Sequence, residues 1–296
     1  MAAVRFVVAC SCFVVLAATV VAQSPVLIDI HQLPDVEVDG KQVKIHSQGL
    51  YVTEQDYIVT GRIDTPPRRP VVIRFPREDL NSYEFLDLGP IDHGNAGLNH
   101  PGGFDRDQQG VFWIPLSTSH RRGPTIVVGI KLSERKLPAN VSEIHESFEV
   151  PDHLGAICCL NEGRLLAANW DTNTVYLINS STGKVEEQIP HDQFFGNANG
   201  VHLAVQDWKF DRKSKLVIAG GIDKSPARKP QESGAVVAWI DPVLRKITKL
   251  IRLDARADVA RPLTNEGMSL RNGKLFLLPE DFGHGAKILS FSLQLD

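Results

Sequence analysis

Residues 265–280, which read NEGMSLRNGKLFLLPE, contain the pattern that decides the fold. A polar pair and a glycine open this segment, a short run follows, and a more apolar run comes after a turn. Short runs rich in Val, Ile, Leu and Phe between turn residues are typical of β-strands. Four further segments open in a similar way: Ser47-Gln48-Gly49, His100-Pro101-Gly102, His153-Leu154-Gly155 and Ala198-Asn199-Gly200.

The five openings mark a repeating unit with room for four strands. Their glycines are 53, 53, 45 and 67 residues apart along the chain. The third strand of each unit is predicted at Pro70–Phe75, Thr125–Lys131, Thr174–Ile178, Gly234–Ile240 and Lys287–Leu293. Four-stranded units that recur at about 40–50 residues are typical of propeller blades.

The fifth unit lacks its fourth strand, because the sequence given stops shortly after the third. An isolated apolar run, Val26–Ile30, could supply that strand and cover an exposed sheet edge. We therefore predict an all-β fold, a β-propeller with five four-stranded blades closed by the N-terminal strand. The alternative is a six-bladed ring, with residues 25–46 or part of the 67-residue interval as the extra blade.

Residues 1–22 are predicted to be a signal peptide, and residues 23–296 a single propeller domain. Arg5 precedes an apolar run that ends in small or slender residues before Gln23. The rival interpretation is a membrane anchor, but Phe6–Ala22 is short for a span. We expect a secreted protein, or a periplasmic one in a bacterium, with no membrane span after cleavage. Asn140 and Asn179 stand in glycosylation triplets.

Composition narrows the class of partner. The chain has 32 Lys and Arg against 35 Asp and Glu, a formal net charge of −3. No basic excess is available to bind a nucleic-acid backbone, so that partner class is not expected. Cys158 and Cys159 are the only cysteines after residue 22, and as neighbours they are predicted to be buried free thiols. We expect a monomer whose partner is a small molecule.

Polar residues at the openings of the first strands should meet at one mouth of the central channel. Glu266, the amides of Asn265 and Asn199, and the Asp223 carboxylate offer the oxygen ligands that Ca²⁺ prefers. A bound Ca²⁺ would polarise an ester or lactone carbonyl. His100 or His153 would then act as the general base. Each of these residues could instead have a structural role, since Asn before Gly is ordinary turn chemistry.

A second set of polar residues is predicted to contact the substrate at the same mouth. Arginine side chains in its turns suit carboxylate or phosphate groups, and Trp170 in an Asn-Trp-Asp turn could stack on a ligand. The alternative is that these charged turns are only solvated surface. The predicted substrate-binding residues are Gln48, Arg62, His120, Arg121, Trp170 and Asp281.

The segment at 265–280 resembles the blade sequence of secreted propeller hydrolases, a grouping of gluconolactonase-like, paraoxonase-like and strictosidine-synthase-like proteins. The resemblance implies a channel Ca²⁺ held by Glu and Asn side chains, for which Glu266, Asn199 and Asn265 match in kind. Those lactonases have six blades, whereas five are counted here. Two functions follow as hypotheses. One is a secreted hydrolase of a small ester or lactone, and the other is a non-catalytic propeller that binds a small ligand, sugar or protein.

Overall fold

The computed structural model describes residues 25–91, 97–132, 137–138, 144, 146–196, 200–226, 234–283 and 285–293, and strands dominate this part of the chain. Five antiparallel sheets follow one another in chain order. The prediction of a five-bladed propeller is therefore confirmed. Residues 25–46 form no sixth blade, because they supply a closing strand and a small hairpin.

The strands are named in chain order. Before the first blade come β1 (Val26–Gln32) and the hairpin of β2 (Val36–Val38) and β3 (Lys41–Val43). From the axis outwards, blade 1 contains β4 (Ile45–Val52), β5 (Asp56–Ile63), β6 (Arg69–Pro76) and β7 (Glu84–Asp87), and blade 2 contains β8 (His100–Pro101) with β9 (Asp105–Arg106), β10 (Val111–Ser117), β11 (Thr125–Lys131) and β12 (Glu146–Val150). Blade 3 contains β13 (Leu154–Cys159), β14 (Arg164–Asn169), β15 (Thr174–Asn179) and β16 (Val185–Pro190), and blade 4 contains β17 (Leu203–Asp211), β18 (Leu216–Asp223), β19 (Ala235–Asp241) and β20 (Lys246–Arg252). Blade 5 contains β21 (Gly267–Arg271), β22 (Lys274–Leu278) and β23 (Lys287–Ser292). A 3₁₀ turn at Gly89–Ile91 and a helix α1 at His191–Phe195 lie between strands.

The N-terminal strand closes the ring, as the sequence predicted. β1 pairs antiparallel with β23 from Val26 opposite Ser292 to Gln32 opposite Lys287. It is therefore the outermost strand of blade 5, in the order β1-β23-β22-β21. This pairing covers the edge that β23 would otherwise expose.

Glycines at the openings allow the inner strands to approach one another. A Cβ on Gly102 would lie 2.2 Å from the Gly155 carbonyl oxygen, and a Cβ on Gly267 would lie 2.7 Å from the Leu50 backbone nitrogen. Blade 4 differs, because β17 begins at Leu203 and Gly200 occupies a turn with φ +80°. The pattern at Gly200 therefore marks the approach to the strand rather than the strand itself.

The apolar core is divided among the five interfaces between neighbouring blades. Each interface holds one cluster of buried side chains. Three tryptophans are buried at these interfaces: Trp113 between blades 2 and 3, Trp208 between blades 3 and 4, and Trp239 between blades 4 and 5. Burial of such aromatic residues contributes strongly to stability, so the blades depend on one another for their core.

Buried hydroxyl groups link each blade to the next. Thr60 of blade 1 donates to the Gly102 carbonyl at 3.0 Å, and Ser117 of blade 2 donates to the Leu154 carbonyl at 3.0 Å. The remaining links are Thr172 with Val205 N, Thr264 with Gly221 O, and Ser269 with Val52 N. These bonds satisfy backbone groups that the blade sheets leave unpaired near the axis.

An ionic group fills the axis. The fully buried Asp207 carboxylate accepts the Leu50 amide of blade 1 at 3.0 Å and the Met268 amide of blade 5 at 2.9 Å, and it is ion-paired with the buried Lys209 ammonium. Asp105 of blade 2 accepts the amides of Cys159 in blade 3 and Phe210 in blade 4. Asp105 also accepts the Arg106 amide of its own blade, so the two carboxylates bind backbone groups from all five blades.

Two further findings concern membrane-spanning helices and the cysteines. Within the part of the chain that the structure describes, no helix is long and apolar enough to cross a membrane. Cys158 and Cys159 are buried, unpaired thiols, as predicted. The predicted signal peptide at residues 1–22 lies outside the described residues, and so does Asn140.

Candidate functional site

Residues from blades 1 and 5 form a polar group at the N-terminal ends of the inner strands. We call it the mouth cluster, and its members are His46, Gln48, Arg261, Asn265, Glu266 and Asp281. His46 and Gln48 lie on β4, and Gln48 is the extra residue of a β-bulge between Ser47 and Gly49. Glu266 directly precedes β21, and Asp281 follows β22. The closing of blade 5 against blade 1 therefore brings these residues together.

His46 and Asp281 form a hydrogen-bonded pair. His46 Nδ1 lies 3.0 Å from Asp281 Oδ1, which also accepts the Ser47 amide at 3.0 Å. Burial alone would lower the pKa of His46, but the hydrogen bond with Asp281 and the nearby carboxylates outweigh it and raise that pKa. For Asp281, burial acts to raise the pKa, but the His46 bond and the Arg261 charge lower it. The pair thus combines a carboxylate whose pKa is lowered with an imidazole whose pKa is raised, so each favours the charged form of the other.

Glu266 is the most deeply buried carboxyl of the cluster, 4% exposed. It accepts hydrogen bonds from Arg261 Nη1 at 2.8 Å, Asn265 Nδ2 at 2.5 Å and Gln48 Nε2 at 3.1 Å. Burial nevertheless raises its pKa to about 8, against the opposing effect of His46 and Arg261. Glu266 and Asp281 are therefore two neighbouring carboxyl groups whose pKa values lie far apart, an arrangement that assigns acid and base roles.

The three titratable side chains could hold a metal ion. Ligand atoms of His46, Glu266 and Asp281 all lie within 4.8 Å of one another. Ca²⁺ takes about six to eight oxygen ligands, whereas this group supplies one nitrogen and two carboxylates. The Gln48 and Asn265 amides turn their nitrogens toward Glu266. These residues as they stand do not make up a calcium shell, so calcium stays a prediction and no catalytic step is assigned to it.

The other predicted metal ligands are not part of this cluster. Asn199 lies outside the described residues. Asp223, at the end of β18, is buried and ion-paired with Arg252 Nη1 at 2.8 Å. It also accepts the Ser225 amide at 2.9 Å and the His202 amide at 3.3 Å. The Asp223 carboxylate is thus bound within blade 4.

The predicted bases, His100 and His153, form an aromatic wall with Trp170 beside the mouth cluster. The His100 ring lies 5.9 Å from the His46 ring and 5.2 Å from Trp170, and His153 packs edge-on against Trp170 at 4.6 Å. Burial, His46 and Arg62 lower the pKa of His100 to about 3, and burial lowers that of His153. Both imidazoles are therefore neutral and only weakly basic at neutral pH.

The remaining predicted contact residues lie around this wall. Arg62 Nη1 is 3.3 Å from His100 Nδ1, and Arg62 also pairs with Asp64. The His120 carbonyl accepts the Nδ1 proton of His153 at 2.5 Å. Arg121 is 72% exposed at its side chain and lies 3.4 Å from Asp171. Asn179, the described glycosylation candidate, accepts the amides of its own turn at Ser181 and Thr182.

Two members of the mouth cluster were missed by the sequence analysis. His46 lies two residues before Gln48, so the period-2 alternation of a strand could have placed it on the same face. Arg261 belongs to a polar loop before blade 5 and shows no periodic signal. It lies 2.8 Å from Glu266 and 3.0 Å from Asp281, and only the fold brings these three groups together.

Comparison with known proteins identifies no family for this chain. No family model and no curated protein matches the sequence. Solved structures that it resembles are β-propellers, among them a glycosyl hydrolase from Bacteroides ovatus (10% identity, 85% of each chain, TM-score 0.47) and a luciferin-regenerating enzyme (10%, 86% of this chain and 79% of that one, 0.46). Virginiamycin B lyase from Staphylococcus aureus is a third (9%, 90% and 99%, 0.45). Similarity at this level assigns no activity.

Proposed function

We propose that the protein is a secreted hydrolase of a small ester or lactone, with its reaction centre at the mouth cluster. The observation that carries this proposal is the placement of the His46–Asp281 pair beside the buried Glu266 carboxyl, with ligand atoms of all three side chains within 4.8 Å of one another. A basic imidazole and a carboxylic acid within one cluster are what general acid–base hydrolysis requires.

In this proposal His46 is the base and Glu266 is the acid. Asp281 accepts the Nδ1 proton of His46, which leaves Nε2 as the basic nitrogen. The Gln48 amide now contacts that nitrogen at 2.7 Å, and the attacking water takes its place. Water adds to the acyl carbon as His46 removes its proton, and Glu266 protonates the departing alkoxide. An ester gives a carboxylic acid and an alcohol, and a lactone gives a single hydroxy acid. The His46 proton returns to Glu266 through solvent.

Arg261 supplies positive charge next to the reacting carbonyl. Its guanidinium bridges both carboxyl groups, so it fixes their relative position and lies where an oxyanion would develop. The aromatic wall supplies an uncharged surface for the rest of the substrate, since its two imidazoles are neutral. We therefore assign substrate contact, rather than proton transfer, to His100 and His153.

The test is hydrolysis of phenyl acetate, γ-butyrolactone and δ-valerolactone by the purified mature chain. His46→Asn and Glu266→Gln should each lower kcat by about 10²–10⁴-fold, the usual contribution of a general base or acid. His31→Asn is the matched control, because the half-buried His31 pairs with Asp29 on β1, the outermost strand of blade 5. Full activity in both cluster variants, or no turnover of any substrate by wild type, would overturn the proposal.

A second function is supported by the hydrogen bonds and ion pairs that the residues of the mouth cluster already make with one another. Arg261 already occupies both carboxyl groups, and Gln48 occupies the free nitrogen of His46. Such a closed network suits a rigid surface that binds a small ligand, sugar or protein without turnover. Saturable binding of a sugar or lactone that Trp170→Ala abolishes, with no product formed, would favour this binding module over the hydrolase.

A further inference from the structure

A cavity lies at the end of the propeller axis opposite the mouth cluster. The mouth cluster occupies the N-terminal ends of the inner strands, whereas this cavity is lined by residues near their C-terminal ends. We call it the lower cavity, and its volume is about 250 Å³. Its lining includes the polar residues Tyr51, Lys209, Arg212, Ser269 and Arg271. The Asp207–Lys209 pair and the amides bound to it lie between the two ends.

The acceptors in the lower cavity are already occupied by the protein. Asp105 is 3% exposed and accepts three backbone amides, those of Arg106, Cys159 and Phe210. Asp211 accepts the amides of its own turn and the Ser214 hydroxyl. Both carboxylates are thus bound in backbone contacts, and neither is arranged to receive a ligand donor.

The donors, in contrast, remain available. Ser269 Oγ accepts the Val52 amide at 3.0 Å, so its hydroxyl proton is left to donate. Among the described residues, the Tyr51 hydroxyl has no acceptor within hydrogen-bond distance. Lys209 lines the cavity and is 5% exposed. Within the described part of the chain its ion-pair partner is Asp207, and its ammonium lies 5.4 Å from the centre of the Phe104 ring. A cavity that offers donors and few acceptors suits an acceptor-rich ligand.

The rim adds two cations. Arg271 is held only loosely, 3.8 Å from the exposed Glu54, and Arg212 donates to the Arg106 carbonyl with one of its nitrogens. Each guanidinium keeps further N–H groups, and arginine forks match carboxylate and phosphate oxygens. The volume is below the roughly 300–1,000 Å³ of pockets for drug-sized ligands, which restricts the ligand to a few heavy atoms.

We infer that the lower cavity is a second binding site, separate from the mouth cluster, for a small oxyanion, either a short carboxylate or phosphate. Arg212 and Arg271 receive the anion at the rim, while Tyr51 and Ser269 donate hydroxyl protons to it. Lys209 contributes positive charge at the floor. The inference does not depend on the mouth cluster being catalytic.

The test is titration calorimetry of the full mature chain with inorganic phosphate, acetate and succinate, against chloride at equal ionic strength. We expect saturable binding of at least one oxyanion. Arg212→Gln and Arg271→Gln should each weaken it about tenfold, and Tyr51→Phe several-fold, since each removes donors to a charged group. Comparison of phosphate with the two carboxylates identifies which oxyanion the site takes.

Two controls locate the binding. Arg256→Gln changes a surface arginine that pairs with Asp258, and Arg121→Gln changes an exposed arginine at the opposite mouth. Both should bind as wild type does. Absence of saturable binding to all three anions, or binding lost in Arg121→Gln and retained in Arg271→Gln, would overturn the inference. Tyr51→Phe removes one hydroxyl only, so it keeps the test decisive should an arginine variant fold poorly.

Discussion

Replacement of Asp207 should reveal how strongly the axis holds the blades together. In Asp207→Ala the amides of Leu50 and Met268 lose their acceptor, at about 1–3 kcal/mol each. The ammonium of Lys209 also loses its partner inside the protein, at about 3–5 kcal/mol. The combined loss is of the same order as the roughly 5–15 kcal/mol that stabilises a whole domain. We therefore expect Asp207→Ala to lack a cooperative unfolding transition at 25 °C.

Asp207→Asn separates the charge from the hydrogen bonds. Its side-chain oxygen can still accept both amides, so the expected loss is about 3–5 kcal/mol from the unpaired Lys209 alone. Addition of Lys209→Met to Asp207→Asn removes that charge as well. The free energy of unfolding of the double variant should be at least about 2 kcal/mol higher than that of Asp207→Asn, because a buried Met carries no charge that needs a partner.

Urea unfolding followed by circular dichroism at pH 7 measures these differences. Asp211→Asn is the matched control, because Asp211 is a carboxylate of the same strand that accepts only turn groups at the surface. It should change stability by no more than about 0.5 kcal/mol. Equal stability of Asp207→Asn and Asp211→Asn, or a double variant less stable than Asp207→Asn, would refute this account of the axis.

Three further predictions concern other parts of the fold. The pKa of Glu266 is raised to about 8 in the folded protein, so the stability that its protonated form contributes is complete below about pH 4.5 and is lost as the pH rises through 8. We therefore expect the Tm of wild type to fall between pH 6 and 9, and that fall to be smaller in Glu266→Gln. Calorimetry across this pH range measures both. Gly102→Ala should lower stability by about 2–3 kcal/mol, since its Cβ meets a carbonyl oxygen, whereas Gly155→Ala, with its nearest atom at 3.6 Å, should cost less than about 1 kcal/mol in the same urea assay. Deletion of residues 25–32 should expose the edge of β23 and produce aggregates in size-exclusion chromatography, whereas a wild-type elution profile would contradict the closing role of β1.

The fold could be predicted because blade formation depends on local chemistry. Turn residues and alternating apolar runs repeat in each unit, and the third strand predicted at Thr125–Lys131 has the same bounds in the structure. The closing role of Val26–Ile30 could be predicted because the fifth unit has three strands where each of the others has four. The hairpin of β2 and β3 and the short helix α1 gave no signal, because each is only a few residues long.

The candidate site and the axis were harder to predict, because their contacts join residues far apart in sequence. His46 and Asp281 are separated by 235 positions, and Leu50 and Asp207 by 157. In a strand, Asp207 and Lys209 look like ordinary solvent-facing residues. Only the closure of the ring turns them inward, where each then requires the other.

The pairing of β1 with β23 also determines how the propeller responds to force. Val26 is opposite Ser292, so the chain before Val26 and the chain after Ser292 leave the sheet at the same end. A force applied through the residues before Val26 and after Ser292 acts in the unzipping direction, in which the hydrogen bonds between the two strands break one after another. Antiparallel strands loaded in that direction separate at low force, whereas strands that slide past each other resist with all their bonds at once. The ring therefore has a mechanically weak seam at blade 5, although the same seam completes it at equilibrium.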